Sequence, residues 1–166
     1  MSTNLEFITS ASGTETLSLE VQNCFSDKYD VYFGIVGGTG TTTSAQINLR
    51  LIDSTGTIIT QSEYDCASYQ LKSYAAPHDQ LLYPNRTQFD IMSYTREPFS
   101  GMTFYIYNPY NSSSYTFVTA QSSGNYAGQL IAMKFIGMHK VAEQITGLNV
   151  VPNANINPTV KIFGVR

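Results

Sequence analysis

The chain has 166 residues, 42% of them apolar, which is enough for one domain with a hydrophobic core. Charged residues are only 13% of the chain, the net charge is −3, and Lys and Arg do not cluster, so nucleic-acid binding is disfavoured. No apolar run is long enough to cross a bilayer, and residues 1–10 lack the basic start and apolar stretch of a secretion signal. We therefore predict a single domain over residues 1–166 that is made in the cytoplasm and does not bind a membrane.

In chain order, apolar residues alternate with polar ones in short windows, which is the pattern of half-buried strands. These windows lie near residues 17–21, 47–51, 102–106, 115–117, 130–132 and 145–163. Clusters of Gly, Ser, Thr and Asn separate them, near residues 10–14, 37–44, 53–56, 108–114 and 122–128. This spacing predicts an all-β fold of about eight strands, specifically an antiparallel β-sandwich of the jelly-roll type.

Two segments depart from the alternation. In residues 64–75, Tyr64, Ala67 and Leu71 recur at steps of three and four, which indicates at most one short helix. The Gly- and Thr-rich run 37–44 is predicted to be a hairpin tip, because apolar strands flank it on both sides. A phosphate-binding loop is excluded, because the run lacks the Lys and the following helix of such a loop.

The same alternation selects the side chains expected in the core. A strand between two sheets turns every second side chain inward. The predicted core residues are Leu19, Val21, Val31, Phe33, Ile47, Leu49, Phe104, Ile106, Phe117, Ile131, Leu148, Val150, Ile162 and Val165.

Side chains that could perform catalysis are few. His78 lies in a loop sequence and His139 near a strand end, and neither belongs to a catalytic motif, so both are interpreted as solvated or turn-bonded imidazoles. Cys24 and Cys66 have no motif around them and could form a disulfide, but in a reducing cytosol they are predicted to be buried free thiols. We predict no catalytic residues, no cofactor and no enzymatic activity.

Metal ligands are similarly dispersed. His and Cys never occur at the spacing of a zinc site. The carboxylate pairs Asp27/Asp30 and Glu63/Asp65 are oxygen ligands of the kind that calcium prefers, but no EF-hand loop surrounds them. They are interpreted as loop caps or surface charges, and no metal site is predicted.

Tyrosines are concentrated in the second half of the chain. Three interpretations apply to them: packing within the sandwich, contact with neighbouring subunits, and glycan binding. The residues concerned are Tyr94, Tyr105, Tyr107, Tyr110, Tyr115 and Tyr126.

Three segments resemble a known family. Residues 145–166 form a strand, a polar turn and a closing strand, and residues 25–32 and 105–117 fit the same pattern. Together they resemble the small β-rich virion proteins of tailed bacteriophages, especially phages of aquatic bacteria. The resemblance implies a jelly-roll module without a catalytic signature that assembles on the particle, commonly as a trimer.

The function expected from this resemblance is that of a non-enzymatic virion protein, namely a capsid decoration (cement) protein that stabilises the shell. The expected partners are the major capsid protein and copies of the chain itself as a homotrimer, and the expected location is the virion. The alternative is a tail- or fibre-associated receptor- or carbohydrate-binding module. Residues 1–10 are either an extended arm or a plain first strand. The contact residues expected are Leu5, Phe7, Tyr107, Tyr110 and Tyr115.

Overall fold

The computed structural model describes residues 4–40, 44–74, 79–95 and 100–166, which form two antiparallel β-sheets packed face to face. The predicted fold class, an all-β antiparallel sandwich of the jelly-roll type, is confirmed. None of the described residues form a helix with the length and apolarity needed to cross a membrane. The strands are β1 Leu5–Ser12, β2 Leu19–Val21, β3 Val31–Gly40, β4 Ala45–Asp53, β5 Tyr64–Lys72, β6 Gln80–Arg86, β7 Phe89–Thr95, β8 Ser100–Tyr107, β9 Thr116–Tyr126, β10 Gln129–His139, β11 Ile145–Pro152 and β12 Ile156–Val165.

The large sheet has eight strands in the order β1-β12-β3-β8-β9-β10-β5-β6, and the small sheet has four in the order β2-β11-β4-β7. From β1 to β5 the chain changes sheet at every step, whereas β8, β9 and β10 follow one another within the large sheet. The closing strands were predicted correctly, and they fall in different sheets. β11 pairs with β2 and β4, and β12 inserts between β1 and β3.

The core lies between the two sheets. Most of the predicted core residues are buried there: Val21, Ile47, Leu49, Phe104, Ile106, Ile131, Leu148, Val150 and Ile162. Leu19 is partly buried and packs against them. Burial of these side chains is the main source of stability of the sandwich.

Four predicted core residues lie elsewhere. Phe117 is exposed, because Thr116 and Val118 are the residues of β9 that turn inward. Val31, Phe33 and Val165 are only partly buried. A strand that is apolar on both faces can turn either face towards the core, because a shift of one residue along the strand exchanges the two faces.

Two segment predictions are also corrected. Most of the suggested helix over residues 64–75 is strand β5, Tyr64–Lys72, in which Tyr64, Cys66, Ser68 and Gln70 are buried in strict alternation. Residue 75 lies outside the described part of the chain. Pairing with β10 on one side and β6 on the other outweighs the weak helical spacing. The Gly-rich run 37–44 is not wholly a hairpin tip, because β3 continues to Gly40, paired with β12 to that residue and with β8 as far as Gly38. Residues 41–43 lie outside the described part of the chain.

The amino-terminal segment is an edge strand. β1 pairs with β12 over its full length, so the described residues of the suggested arm lie within the sheet. Glu6 holds this strand by ion pairs with Lys28 and Arg166. The hydrogen bonds from Lys28 and Arg166 lower the pKa of Glu6 from 4.5 to about 2.

We expect β1 to loosen from the sheet in acid. The pKa of Glu6 is lower in the folded than in the unfolded chain, so its stabilisation is complete above pH 4.5 and is lost as the pH falls towards about 2. Amide hydrogen exchange should show protection of β1 falling over this range before that of β8. The Glu6→Gln variant should lack this pH dependence, and an unchanged profile in that variant would contradict the assignment.

Candidate functional site

One row of side chains crosses the outer face of the large sheet, which is the face turned away from the small sheet. The cross-strand partners place one residue from each of the eight strands in register. The side chains on either side of Tyr105 in β8, Phe104 and Ile106, are fully buried, so the row faces outward. In sheet order this central row consists of Phe7, Phe163, Phe33, Tyr105, Thr119, Ile136, Ala67 and Leu82.

The central row presents a large apolar area. Leu82 is 67% exposed, Ile136 62%, Phe7 57% and Tyr105 41%, and Phe117 beside them is 42% exposed. Taking about 200 Å² for a fully exposed large side chain, these five residues present on the order of 500 Å². The largest apolar patch on a typical monomer is about 300–600 Å² and is often functional. The area falls within this range, so this face is the candidate binding surface.

The aromatic rings of the central row pack against one another. The ring centroids of Phe7 and Phe163 are 5.6 Å apart, those of Phe163 and Phe33 6.1 Å, and those of Phe33 and Tyr105 5.1 Å. Tyr107 continues the series, with its ring 6.3 Å from that of Tyr105. Rings packed in this way lose little conformational entropy when a partner binds.

Two further rows flank the central row. On one side the row is mostly apolar but includes Asp65, the cross-strand partner of Met138. Its residues Phe117 and Met138 border a pocket of about 580 Å³ that Leu82 and Ile136 also line. On the other side the row is mostly polar, and its residues are Lys161, Ile35, Thr103, Gln121, Lys134, Tyr69 and Gln80. A smaller pocket of about 220 Å³ lies between Tyr105 and this polar row.

The structure brings together three of the five predicted contact residues. Leu5 and Phe7 lie on β1 and Tyr107 on β8, all on the outer face. Tyr110 packs against the core, whereas Tyr115 is exposed just before β9. Sequence reasoning missed Phe33, Phe163, Ile136 and Leu82. In the sequence, these residues differ from their neighbours only by recurring at every second position of apolar strands. This spacing does not show which face of the strand turns outward.

Of the two histidines, only His139 lies in the described part of the chain. His139 was predicted to be solvated or turn-bonded, but it is fully buried, and this desolvation lowers its pKa although a hydrogen bond with Glu63 opposes the shift. His78 lies outside the described residues.

The predicted buried free thiols are confirmed, and burial raises the pKa of Cys24 to about 12 and that of Cys66 to about 11. Such thiols are unreactive at neutral pH.

Of the carboxylates considered as calcium ligands, Asp65 instead forms an ion pair with Lys140 at 3.0 Å. The Asp65 carboxylate also accepts a hydrogen bond of 2.7 Å from the backbone N–H of Asn85. Its neighbour Glu63 points to His139, with 3.3 Å between the Glu63 carboxylate and the imidazole. Glu63 and Asp65 therefore do not form a joint site.

Comparison with known proteins gives distant structural similarity only. No protein-family model and no curated protein matches the chain. A congerin II mutant structure has a TM-score of 0.37 at 12% identity, over 87% of this chain and 98% of that one. The PL-14 alginate lyase from Aplysia kurodai has a TM-score of 0.35 at 6% identity, over 86% and 72%. The CBM2 module of the evolved Dit of Lactobacillus casei BL23 phage J-1 has a TM-score of 0.24 at 9% identity, over 95% and 69%. These similarities are too distant to assign a function.

Proposed function

We propose that this chain is a non-enzymatic structural subunit of a bacteriophage particle, a capsid decoration protein that docks on the shell protein and on copies of itself. The phage context is supported by the resemblance of residues 25–32, 105–117 and 145–166 to virion proteins. The docking mode is supported by one observation, the mostly apolar central row across all eight strands of the large sheet.

The shape and chemistry of the central row favour a protein partner. At the usual spacing of strands, eight strands extend the row over about 34 Å along the sheet. The row carries no charged side chain, and its polar groups are the hydroxyls of Tyr105 and Thr119. The core of a protein interface is similarly depleted of charge and rich in aromatic residues. A standard interface buries about 800 Å² on each partner, so on the order of 500 Å² of apolar area is sufficient for its core.

A second candidate function is glycan binding in the smaller pocket. There the ring of Tyr105 lies beside the polar side chains of Gln121 and Lys134, in a space of about 220 Å³. An aromatic face next to hydrogen-bonding groups is the arrangement that a sugar ring requires. This pocket involves the middle of the polar row and leaves Leu82 and Phe7 without a role.

The proposal predicts that a charge in the central row prevents incorporation into the particle. In phage carrying Ile136→Glu, the number of copies per virion, counted by mass spectrometry, should fall at least about tenfold, because burying an unpaired carboxylate is costly. Ile136 is exposed, so the variant chain should unfold at the same urea concentration as the natural chain.

Thr14→Glu is the matched control, since it adds the same charge at an exposed turn, and it should be incorporated normally. Normal incorporation of Ile136→Glu, or absence of the natural chain from virions, would contradict the proposal. Binding to glycans that Gln121→Ala abolishes and Ile136→Glu retains would favour the second candidate.

A further inference from the structure

A second cluster of side chains lies at one end of the sandwich, apart from the central row. His139 ends β10, Glu63 immediately precedes β5, and Glu143 lies in the connection between β10 and β11. The imidazole Nε2 of His139 is 3.3 Å from Glu63 Oε2 and 3.6 Å from Glu143 Oε1. The three atoms all lie within 4.8 Å of one another.

The backbone and a buried tyrosine hold the histidine in place. Tyr64 is the cross-strand partner of His139, and their ring centroids are 5.1 Å apart. The Tyr64 hydroxyl accepts a hydrogen bond from the Leu51 N–H at 3.1 Å and donates one to the Ile59 carbonyl at 3.2 Å. The backbone N–H of Lys140 donates to the Glu63 carbonyl at 2.8 Å, which fixes the start of β5 against the end of β10.

The two carboxylates lie on the solvent-exposed side of the cluster. The side chains of Glu63 and Glu143 are 34% and 33% exposed, whereas that of His139 is fully buried. In the described part of the chain, their only ion-pair contact is with His139, because the nearby Lys140 pairs with Asp65. Two negative charges therefore converge on one nitrogen without a Lys or Arg to balance them.

The hydrogen bond between His139 and Glu63 is long, and Glu143 lies beyond hydrogen-bond distance of the imidazole. A good N–H···O bond measures about 2.9 Å between heavy atoms, and a carboxylate bond to a charged donor is shorter still. The separations of 3.3 and 3.6 Å in this cluster are longer. They are close to the distance between two ligands of a tetrahedral zinc ion, which is about 3.4 Å for metal–ligand bonds of about 2.0–2.1 Å.

We propose that Glu63, His139 and Glu143 bind one zinc ion, with a solvent molecule as the fourth ligand. One imidazole nitrogen and two carboxylate oxygens suit a divalent transition metal, whereas calcium and magnesium prefer oxygen ligands alone. The ion neutralises both carboxylates and links the end of β10, the start of β5 and the connection to β11. This site does not depend on the proposed docking function.

The test is calorimetric titration of the metal-free chain with zinc chloride. The natural chain is expected to bind one equivalent of zinc, and magnesium should not compete. Loss of even an outer-shell partner costs about 10–100-fold in metal affinity, so Glu143→Gln and Glu63→Gln should each weaken binding at least about tenfold. Both residues are partly exposed, and circular dichroism should show that both variants remain folded.

His78→Ala is the matched control, because it removes the other histidine and should leave zinc affinity unchanged. With cobalt in place of zinc, the natural chain should show the strong visible absorption of a four-coordinate ion, and Glu143→Gln should lose it. The proposal is wrong if no equivalent of zinc binds, if folded Glu143→Gln binds as tightly as the natural chain, or if binding depends on His78.

Discussion

Replacing Phe104 with alanine is expected to lower the free energy of unfolding by about 3–5 kcal/mol. Phe104 is fully buried, and its cross-strand partners are two small residues, Gly34 in β3 and Ala120 in β9. Neither partner has a side chain that could fill the space left by the ring. A cavity should therefore remain, and its cost adds to the lost burial of the ring.

Tyr105→Ala is the matched control for this prediction. It removes an aromatic ring from the next residue of the same strand, but from the outer face, where Tyr105 is 41% exposed. Urea unfolding monitored by circular dichroism should show a much smaller loss for Tyr105→Ala than for Phe104→Ala. Equal losses in the two variants would contradict the assignment of the inner face of β8.

Gly34→Ala is the second substitution with a large expected effect. A Cβ at this position would lie 2.0 Å from Cζ of Phe104 and 2.4 Å from its two Cε atoms. The ring lies directly over the glycine, so the ring or the strand must shift. Such overpacking costs about 1–3 kcal/mol, and sometimes more.

A double-mutant cycle separates this clash from other effects. In the Phe104→Ala background the ring is absent, so adding Gly34→Ala should cost little. The expected coupling between the two sites is about 1 kcal/mol or more, measured from the four urea unfolding curves. If Gly34→Ala is as destabilising without the ring as with it, the proposed packing of Phe104 on Gly34 is wrong.

Local patterns were sufficient to predict several features of the fold. Alternation at a period of two identified strands such as β4, β8 and β12, because strand geometry places every second side chain on the same face. The polar turn predicted over residues 153–158 separated the two closing strands for the same local reason, since turn residues interrupt pairing. The observed turn is shorter, because β12 already begins at Ile156.

Where both faces of a strand are apolar, the sequence did not reveal which face turns inward. Phe33 and Phe117 were predicted in the core, but each lies next to a residue that is buried instead, Tyr32 or Gly34 for the first and Val118 for the second. Either face of such a strand would bury apolar surface, so only packing against the small sheet decides which face turns inward. For β5 the weak helical spacing was misleading, because pairing with two neighbouring strands determines its conformation.

The sequence by itself therefore determined the all-β class and the free, buried state of Cys24 and Cys66. Only the tertiary structure decided the composition of the two candidate sites. The central row takes one residue from each of eight strands, and Glu63 is 76 positions from His139. Such groupings depend on strand order and register, which arise from contacts between segments far apart in the chain and leave no periodic signal along it.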